Sequence, residues 1–171
     1  ITGKVRFSYA HVFEAAAIAE GDTPKFSVSI IIPKSDKKTI AKIEAAISQA
    51  IEDAKASKFG GKIPPVMKLP LRDGDVERPD DENYKNSMFL NAASTTRPGI
   101  VDENLNAIIS KDDFYSGCYG KASLNFYAFN VSGNKGVAAG LNNLQKTEDG
   151  ENLGGGRSSA EDDFGTDDDL N

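Results

Sequence analysis

The sequence contains few residues of the types on which most enzyme sites depend. Its 171 residues include one cysteine, Cys118, one histidine, His11, and no tryptophan. A single cysteine excludes an intrachain disulfide, and a single histidine excludes the usual His/Cys zinc sites and most histidine-based catalysis. No apolar run approaches the roughly 20 residues of a membrane-spanning helix, so we expect no association with a membrane. The composition therefore predicts neither a cofactor nor a metal site.

The charge is unevenly divided along the chain. Nine of the 26 acidic residues, but one of the 20 basic residues, lie in residues 148–171, so this segment has a net charge of −8 and residues 1–147 have a net charge of +2. We interpret residues 1–147 as a folded body that binds a polyanion and residues 148–171 as a flexible acidic tail that binds a partner or the body itself. The alternative is a tail that only keeps a neutral domain in solution.

The hydrophobic pattern indicates a β-rich body with one helix. Alternating or β-rich segments predict strands at residues 4–13, 26–32, 88–96, 115–130 and 136–144. In the first of these, Val5, Phe7, Tyr9 and His11 are expected to share one face. Apolar residues at helical spacing from Ile40 to Ala54 predict a helix that is capped by Ser35 or Asp36 and stopped by Gly60-Gly61. The proline-rich residues 62–83 predict a long connection without regular structure. These elements fit a small, largely antiparallel barrel with long loops and one packed helix.

The strand that ends near Phe129 is the most informative segment for function. Strand geometry places Ala122, Leu124, Phe126 and Ala128 on an apolar core face. The opposite face carries rings, a lysine and polar side chains: Tyr119, Lys121, Ser123, Asn125, Tyr127 and Phe129. Such a face is typical of a stacking platform for the bases of a single-stranded nucleic acid. The alternative is a sheet buried on both sides, in which Lys121 and Asn125 would be badly placed.

Two further sets of charged residues have functional interpretations. Basic residues near predicted strand ends and loops are candidates for phosphate contacts: Arg6, Lys62, Lys68, Arg72, Arg97 and Lys121. Acidic residues in the proline-rich connection would, if they converged, form the carboxylate site of a metal-dependent nuclease: Asp73, Asp75, Asp80, Asp81 and Glu82. Acidic residues in loops are more often simply solvated, so we favour the binding function over the nuclease alternative.

Several phrases of the sequence, in the same order, resemble the single-stranded-DNA-binding proteins of tailed bacteriophages and prophages. They are VRFSYAHVF at 5–13, IIPKSD at 31–36, LPLRDGD at 69–75, TRPG at 96–99, YSGCYG at 115–120, NFYAFN at 125–130, GNKG at 133–136 and AEDDF at 160–164. The resemblance implies an OB-like barrel that coats single-stranded DNA during phage DNA replication and recombination, without catalysis, in the cytoplasm of the bacterial host. The helix departs from a minimal OB barrel because it follows the second predicted strand rather than the third.

The resemblance does not assign the residues that contact DNA, so the predicted interface depends on the alternation and charge arguments. It comprises Arg6, Lys62, Lys68, Arg72, Phe89, Arg97, Tyr115, Tyr119, Lys121, Tyr127 and Phe129. In the tail, the residues expected to recruit phage or host replication and recombination proteins are Asp162, Asp163, Phe164, Asp167, Asp168, Asp169 and Leu170. The sequence leaves open whether the chain forms a homodimer.

Overall fold

Five strands close into a ring around the main hydrophobic core. The computed structural model describes residues 1–17, 23–62, 64–131 and 134–153. In chain order, its elements are β1 (Val5–Ala16), β2 (Lys25–Pro33), helix α1 (Lys37–Ala54), β3 (Arg72–Asp73), the short helix α2 (Gly74–Glu77), a 3₁₀-helix (Glu82–Tyr84), β4 (Ser87–Ser94), β5 (Gly99–Val101), β6 (Tyr119–Val131) and β7 (Asn134–Glu148). The sheet order is β3-β4-β2-β1-β6-β7-β5, and an additional parallel pairing of β4 with β7 closes the ring. This connectivity is OB-like, as expected.

The interior of the barrel is filled by the inward residues of every barrel strand. Phe7, Ile30, Leu90, Ala122 and Leu141 belong to this core and are almost completely buried. Helix α1 begins at Asp36, whose carboxylate accepts a hydrogen bond from the Thr39 backbone N–H at 3.2 Å. Ile43 and Ile47 then join the core from the helix. The expected helix and its apolar face are therefore confirmed.

A β-bulge in β1 overturns part of the expected alternation. The pairing with β2 passes from Ser8↔Ser29 to His11↔Ser27, so two residues of β1 oppose one residue of β2. The extra residue reverses which positions face the core beyond the bulge. Tyr9 and His11 are consequently exposed, whereas Val12 is buried.

The sequence indicated a long connection without regular structure over residues 62–83, but the described part of this segment contains short regular elements. The backbone of Lys68 pairs with Gly136 of β7, and β3 then pairs with β4 through Arg72↔Phe89. Residues 68–73 therefore lie against both β4 and β7. The following α2 and 3₁₀-helix are capped by Asp73 and Asp81, which accept backbone N–H bonds at 2.9 and 3.0 Å. Local capping by aspartates, rather than hydrophobic periodicity, gives this segment its structure.

The acidic segment begins inside the fold. Strand β7 continues to Glu148, and the Leu153 backbone N–H donates to the carbonyl of Ser116 at 2.9 Å. The expected boundary after residue 147 therefore falls within a strand. In the part of the chain that the structure describes, no helix is both long and apolar enough to cross a membrane.

Candidate nucleic-acid interface

Predicted site residues from four different strands lie in one row on the outer face of the barrel. The pairings run from Arg72 through Phe89, Ile31 and Arg6 to Tyr119. Directly paired residues of antiparallel strands project to the same side of a sheet. The row therefore places two guanidinium groups and a tyrosine ring on the surface opposite the core.

Arg6 is held firmly within this row, and among the described residues no carboxylate forms an ion pair with it. Its Nε donates to the Gly117 carbonyl at 3.1 Å, one terminal nitrogen donates to Oδ1 of Asn83 at 3.3 Å, and the other donates to the Glu151 carbonyl at 3.0 Å. All three acceptors are neutral groups. The guanidinium carbon also lies 5.2 Å from the centre of the Tyr119 ring, as does the Lys4 ammonium. The Lys4 ammonium is also paired with the Glu148 carboxylate at 2.7 Å, so Arg6 supplies the cation beside the aromatic ring at this end of the row.

The predicted division of β6 into two faces is confirmed. Ala122 and Ala128 are buried, whereas Lys121 and Asn125 are exposed and Tyr127 has 47% of its surface exposed. The outer positions of β6 face small residues on β7, through the pairs Asn125↔Gly140, Tyr127↔Ala138 and Phe129↔Gly136. A glycine or an alanine stands opposite each of them, Phe129 is half-buried, and the backbone of Lys68 pairs with Gly136 in the same row.

The prediction that Phe89 stacks on a base has to be corrected. Phe89 is 1% exposed because the 3₁₀-helix covers it, and it forms a small cluster with Ile31 and Tyr84. The Tyr84 hydroxyl lies 2.9 Å from the Ser29 hydroxyl, and burial raises the pKa of Tyr84. The ring of Phe89 therefore supports the outer surface from within and is not available to DNA.

Tyr115 also has a structural role that the sequence did not reveal. Its hydroxyl donates to the Asp149 carboxylate at 2.7 Å, and the Lys146 ammonium lies 5.3 Å from its ring centre. Burial and the Asp149 carboxylate raise the pKa of Tyr115. The half-buried ring therefore fastens the start of the acidic segment to the body.

Lys62 and Arg97 lie outside the row. Lys62 is exposed in the turn that follows α1, and the Arg97 guanidinium lies 5.7 Å from the Phe13 ring, in the loop after β4. Arg72 stays in the row with an exposed partner, Glu77, at 3.5 Å. Exposed ion pairs of this length contribute little, so Arg72 can exchange its partner for a phosphate.

Sequence reasoning missed two residues on the outer face, Tyr9 and Arg78. The Arg78 guanidinium lies 5.5 Å from the ring of Tyr9, 4.9 Å from that of Tyr84 and 5.0 Å from that of Phe89. Strict alternation had placed Tyr9 on the same face as Val5 and Phe7, which are buried, and Arg78 stands in a segment expected to be irregular. No pattern in the sequence signals the bulge that turns Tyr9 outward.

The carboxylates proposed for a nuclease are not arranged as a metal site in the described part of the chain. Asp73 and Asp75 both bind the Lys34 ammonium, at 2.8 and 2.7 Å, and these contacts hold the pKa of each carboxyl below its usual value. Within the described ranges, no three His, Cys, Asp or Glu side chains are arranged to hold a metal ion. The geometry therefore gives the nuclease alternative no support.

The comparisons with known proteins show the family of this chain. The family model described as "Enterobacter phage Enc34, ssDNA-binding protein" matches residues 1–171. The chain belongs to this family. The resemblance read from the sequence is thus confirmed.

Individual members of the Enc34 family and a more distant protein define how far the likeness extends. "Putative protein p50" of Acyrthosiphon pisum secondary endosymbiont phage 1 is 32% identical over 164 residues, which are 92% of this chain and 88% of the relative. The single-stranded DNA-binding protein from bacteriophage Enc34, solved in complex with ssDNA, is 28% identical with a TM-score of 0.76, over 88% of this chain and 86% of that chain. The gp2.5 single-stranded DNA-binding protein of bacteriophage T7 is 14% identical with a TM-score of 0.55, over 92% and 96% of the two chains, and shows the fold alone.

The tail residues predicted to bind partner proteins lie outside the described residues of this Enc34-family chain. They are Asp162, Asp163, Phe164, Asp167, Asp168, Asp169 and Leu170. The segment that leads to them, residues 149–153, contacts the body through Arg6, Tyr115 and Ser116.

Proposed function

We propose that this chain binds single-stranded DNA without sequence preference and coats it during phage DNA replication and recombination. The observation that carries the proposal is the outer surface on which Arg72, Arg6 and Tyr119 form one row and Tyr127 and Phe129 lie on the outer face of β6. The related protein solved with ssDNA supports it. Rings bind bases of any identity, and unpaired cations neutralise phosphates.

We propose a contact set smaller than the one predicted from the sequence. Phe89 and Tyr115 leave it because one is buried and the other is engaged with Asp149. The remaining residues are Arg6, Lys62, Lys68, Arg72, Arg97, Tyr119, Lys121, Tyr127 and Phe129.

Fluorescence anisotropy with a labelled oligothymidylate tests the function. The same protein is titrated with single-stranded DNA, single-stranded RNA and duplex DNA of equal length at several salt concentrations. We expect tighter binding to the single strand than to the duplex, and a logarithmic salt slope of about −0.7 for each phosphate contacted. Equal affinity for duplex and single strand at moderate salt would contradict the proposal.

We infer that binding involves no catalysis. The support is the engagement of Asp73 and Asp75 with Lys34, which leaves them poorly placed to act as metal ligands. Incubation of end-labelled single-stranded DNA with the protein and Mg²⁺ or Mn²⁺ should leave the strand intact. Cleavage that disappears in an Asp73→Asn, Asp75→Asn variant would favour the nuclease instead.

The acidic tail is proposed to compete with DNA for the outer surface and to recruit phage or host replication and recombination proteins in the bacterial cytoplasm. The Glu151 carbonyl accepts a hydrogen bond from Arg6, and Glu148 pairs with Tyr119, so the first residues of the tail lie beside the row. An acidic segment attached there has a high effective concentration at the outer surface. Release of the tail by DNA would expose Phe164 and Leu170 to a protein partner.

Truncation after Leu153 tests the tail. We expect the truncated protein to bind single-stranded DNA more tightly at low salt, with the two affinities converging as salt screens the tail. Unchanged affinity at low salt would contradict competition. Loss of replication-protein capture by the truncated form tests recruitment separately, and its sedimentation beside the full-length chain tests whether a homodimer forms.

A further inference from the structure

Tyr9 has a backbone conformation that a tyrosine rarely adopts. It occupies the bulge of β1, where Tyr9 and Ala10 oppose Val28, and its φ angle is +47°. In bulges of this kind the left-handed position usually belongs to glycine, because a side chain is strained there. Strained residues of this sort persist mainly at functional sites. The bulge also turns the ring outward, and 54% of Tyr9 is exposed.

A column of side chains supports the Tyr9 ring from beneath. The Arg78 guanidinium lies over Tyr9 at 5.5 Å and contacts the rings of Tyr84 and Phe89 on the sheet side. Those two rings are 0% and 1% exposed and meet edge to face at 5.0 Å. The hydrogen bond between Tyr84 and Ser29 anchors the column to β2. One face of Tyr9 is thus fixed against a cation, and the rest of the ring is open to solvent.

Arg78 is poorly placed to bind a phosphate itself. Glu77, Asp80, Asp81 and Glu82 line a shallow surface hollow together with Arg78, so the local potential is unfavourable to an anion. Among the described residues, its Nε is buried without a hydrogen-bond partner and its guanidinium forms no ion pair. The contacts that the side chain does make are with the three rings. Its geometry therefore serves to hold the ring of Tyr9.

We propose that Tyr9 is a base-stacking residue of the interface and that Arg78 is the positioning residue beneath it. This inference rests on the proposed binding of single-stranded DNA and extends the surface along β1 beyond Arg6, beside the covered face of β2 and β4. The strained backbone is explained if it aims the ring at a base.

Three variants test the proposal. Tyr9→Asn removes the ring, but asparagine tolerates the left-handed conformation, so thermal stability should be kept or raised. Affinity for oligothymidylate should fall about 5- to 150-fold, as expected for one lost stack. Tyr9→Phe should bind like the wild type. Arg78→Met fills the space among the rings without a buried unpaired nitrogen, so the protein should stay folded and bind several-fold more weakly with an unchanged salt slope.

The double variant Tyr9→Asn, Arg78→Met separates positioning from direct contact. If Arg78 acts through Tyr9, the double variant should bind no more weakly than Tyr9→Asn alone. Additive losses, or a salt slope reduced by about 0.7 in Arg78→Met, would overturn the positioning role and make Arg78 a phosphate contact. Wild-type affinity in Tyr9→Asn would overturn the stacking role.

A crosslinking experiment on the unaltered protein covers the case in which Tyr9→Asn fails to fold. Oligothymidylate carrying 5-iododeoxyuridine is irradiated in complex with the protein, and crosslinked peptides are identified by mass spectrometry. Crosslinks at Tyr9 are expected, and a complex that crosslinks at Tyr127 but never at Tyr9 would overturn the proposal. Failure of the wild type to bind the oligonucleotide at all would instead contradict the proposed function itself.

Discussion

Alanine substitutions of the adjacent β6 residues Tyr127 and Phe126 should affect different properties, the affinity for DNA in the first case and the free energy of unfolding in the second. Tyr127 pairs with Ala138 on the outer face, whereas Phe126 pairs with Ala139 and packs against the core beside α1. We expect Tyr127→Ala to weaken binding to single-stranded DNA by about 1–3 kcal/mol, because one stacked base is lost. Its ring is already 47% exposed, so its removal should lower the free energy of unfolding by less than about 1 kcal/mol.

The matched change Phe126→Ala should do the reverse. Truncation of a fully buried phenylalanine costs roughly 3–5 kcal/mol, and Phe126 is only half-buried, so we expect a loss of about 2 kcal/mol in stability. Affinity measured well below the unfolding transition should stay near that of the wild type. The alanine removes contacts between the Phe126 ring and α1, and it removes no contact with a base.

Urea unfolding followed by circular dichroism gives the stabilities, and anisotropy of a labelled oligothymidylate gives the affinities. Tyr127→Phe is the control, since it keeps the ring and should bind normally. If Tyr127→Ala unfolds the protein while Phe126→Ala is harmless, the two faces have been assigned the wrong way round. If both variants bind normally, β6 is not a stacking surface.

Two further predictions concern the scaffold of the surface. Since Lys34 lowers the pKa of Asp73 and Asp75, their contribution to stability is present above pH 3.8 and is lost as the pH falls through the lowered values. An NMR titration should therefore show residues 72–77 loosening only in acid below pH 3.8. An Asp73 carboxyl that titrates at or above pH 3.8 would refute the ion pair with Lys34. Gly120→Ala should lower the free energy of unfolding by roughly 3 kcal/mol, because the added Cβ would lie 1.8 Å from the Gln145 carbonyl oxygen between paired strands. A calorimetric melting temperature equal to that of the wild type would show that β6 and β7 separate more easily than their register implies.

The sequence by itself determined those features that depend on local periodicity. Alternation along β6 was enough to separate Ala122 and Ala128 from Lys121 and Tyr127, because every second side chain of a strand faces the same way. Helical spacing and an aspartate cap located α1. The ordered phrases that resemble the family were distinctive because several of them occur together along most of the chain.

Only the tertiary structure decided which distant residues share a surface. The row from Arg72 to Tyr119 depends on four registers between strands far apart in sequence, and none of these follows from local pattern. Phe89 reads as an ordinary strand residue, and it is buried because a separate segment folds over it.

The bulge at Tyr9 is the sharpest case of this division. One extra residue in β1 inverts the faces that follow it, and the insertion becomes visible only when β1 is paired with β2. Pairing is a property of two strands together, so a pattern read along one strand assigns Tyr9 to the face of Val5 and Phe7. The fold instead turns its ring outward and supports it on Arg78.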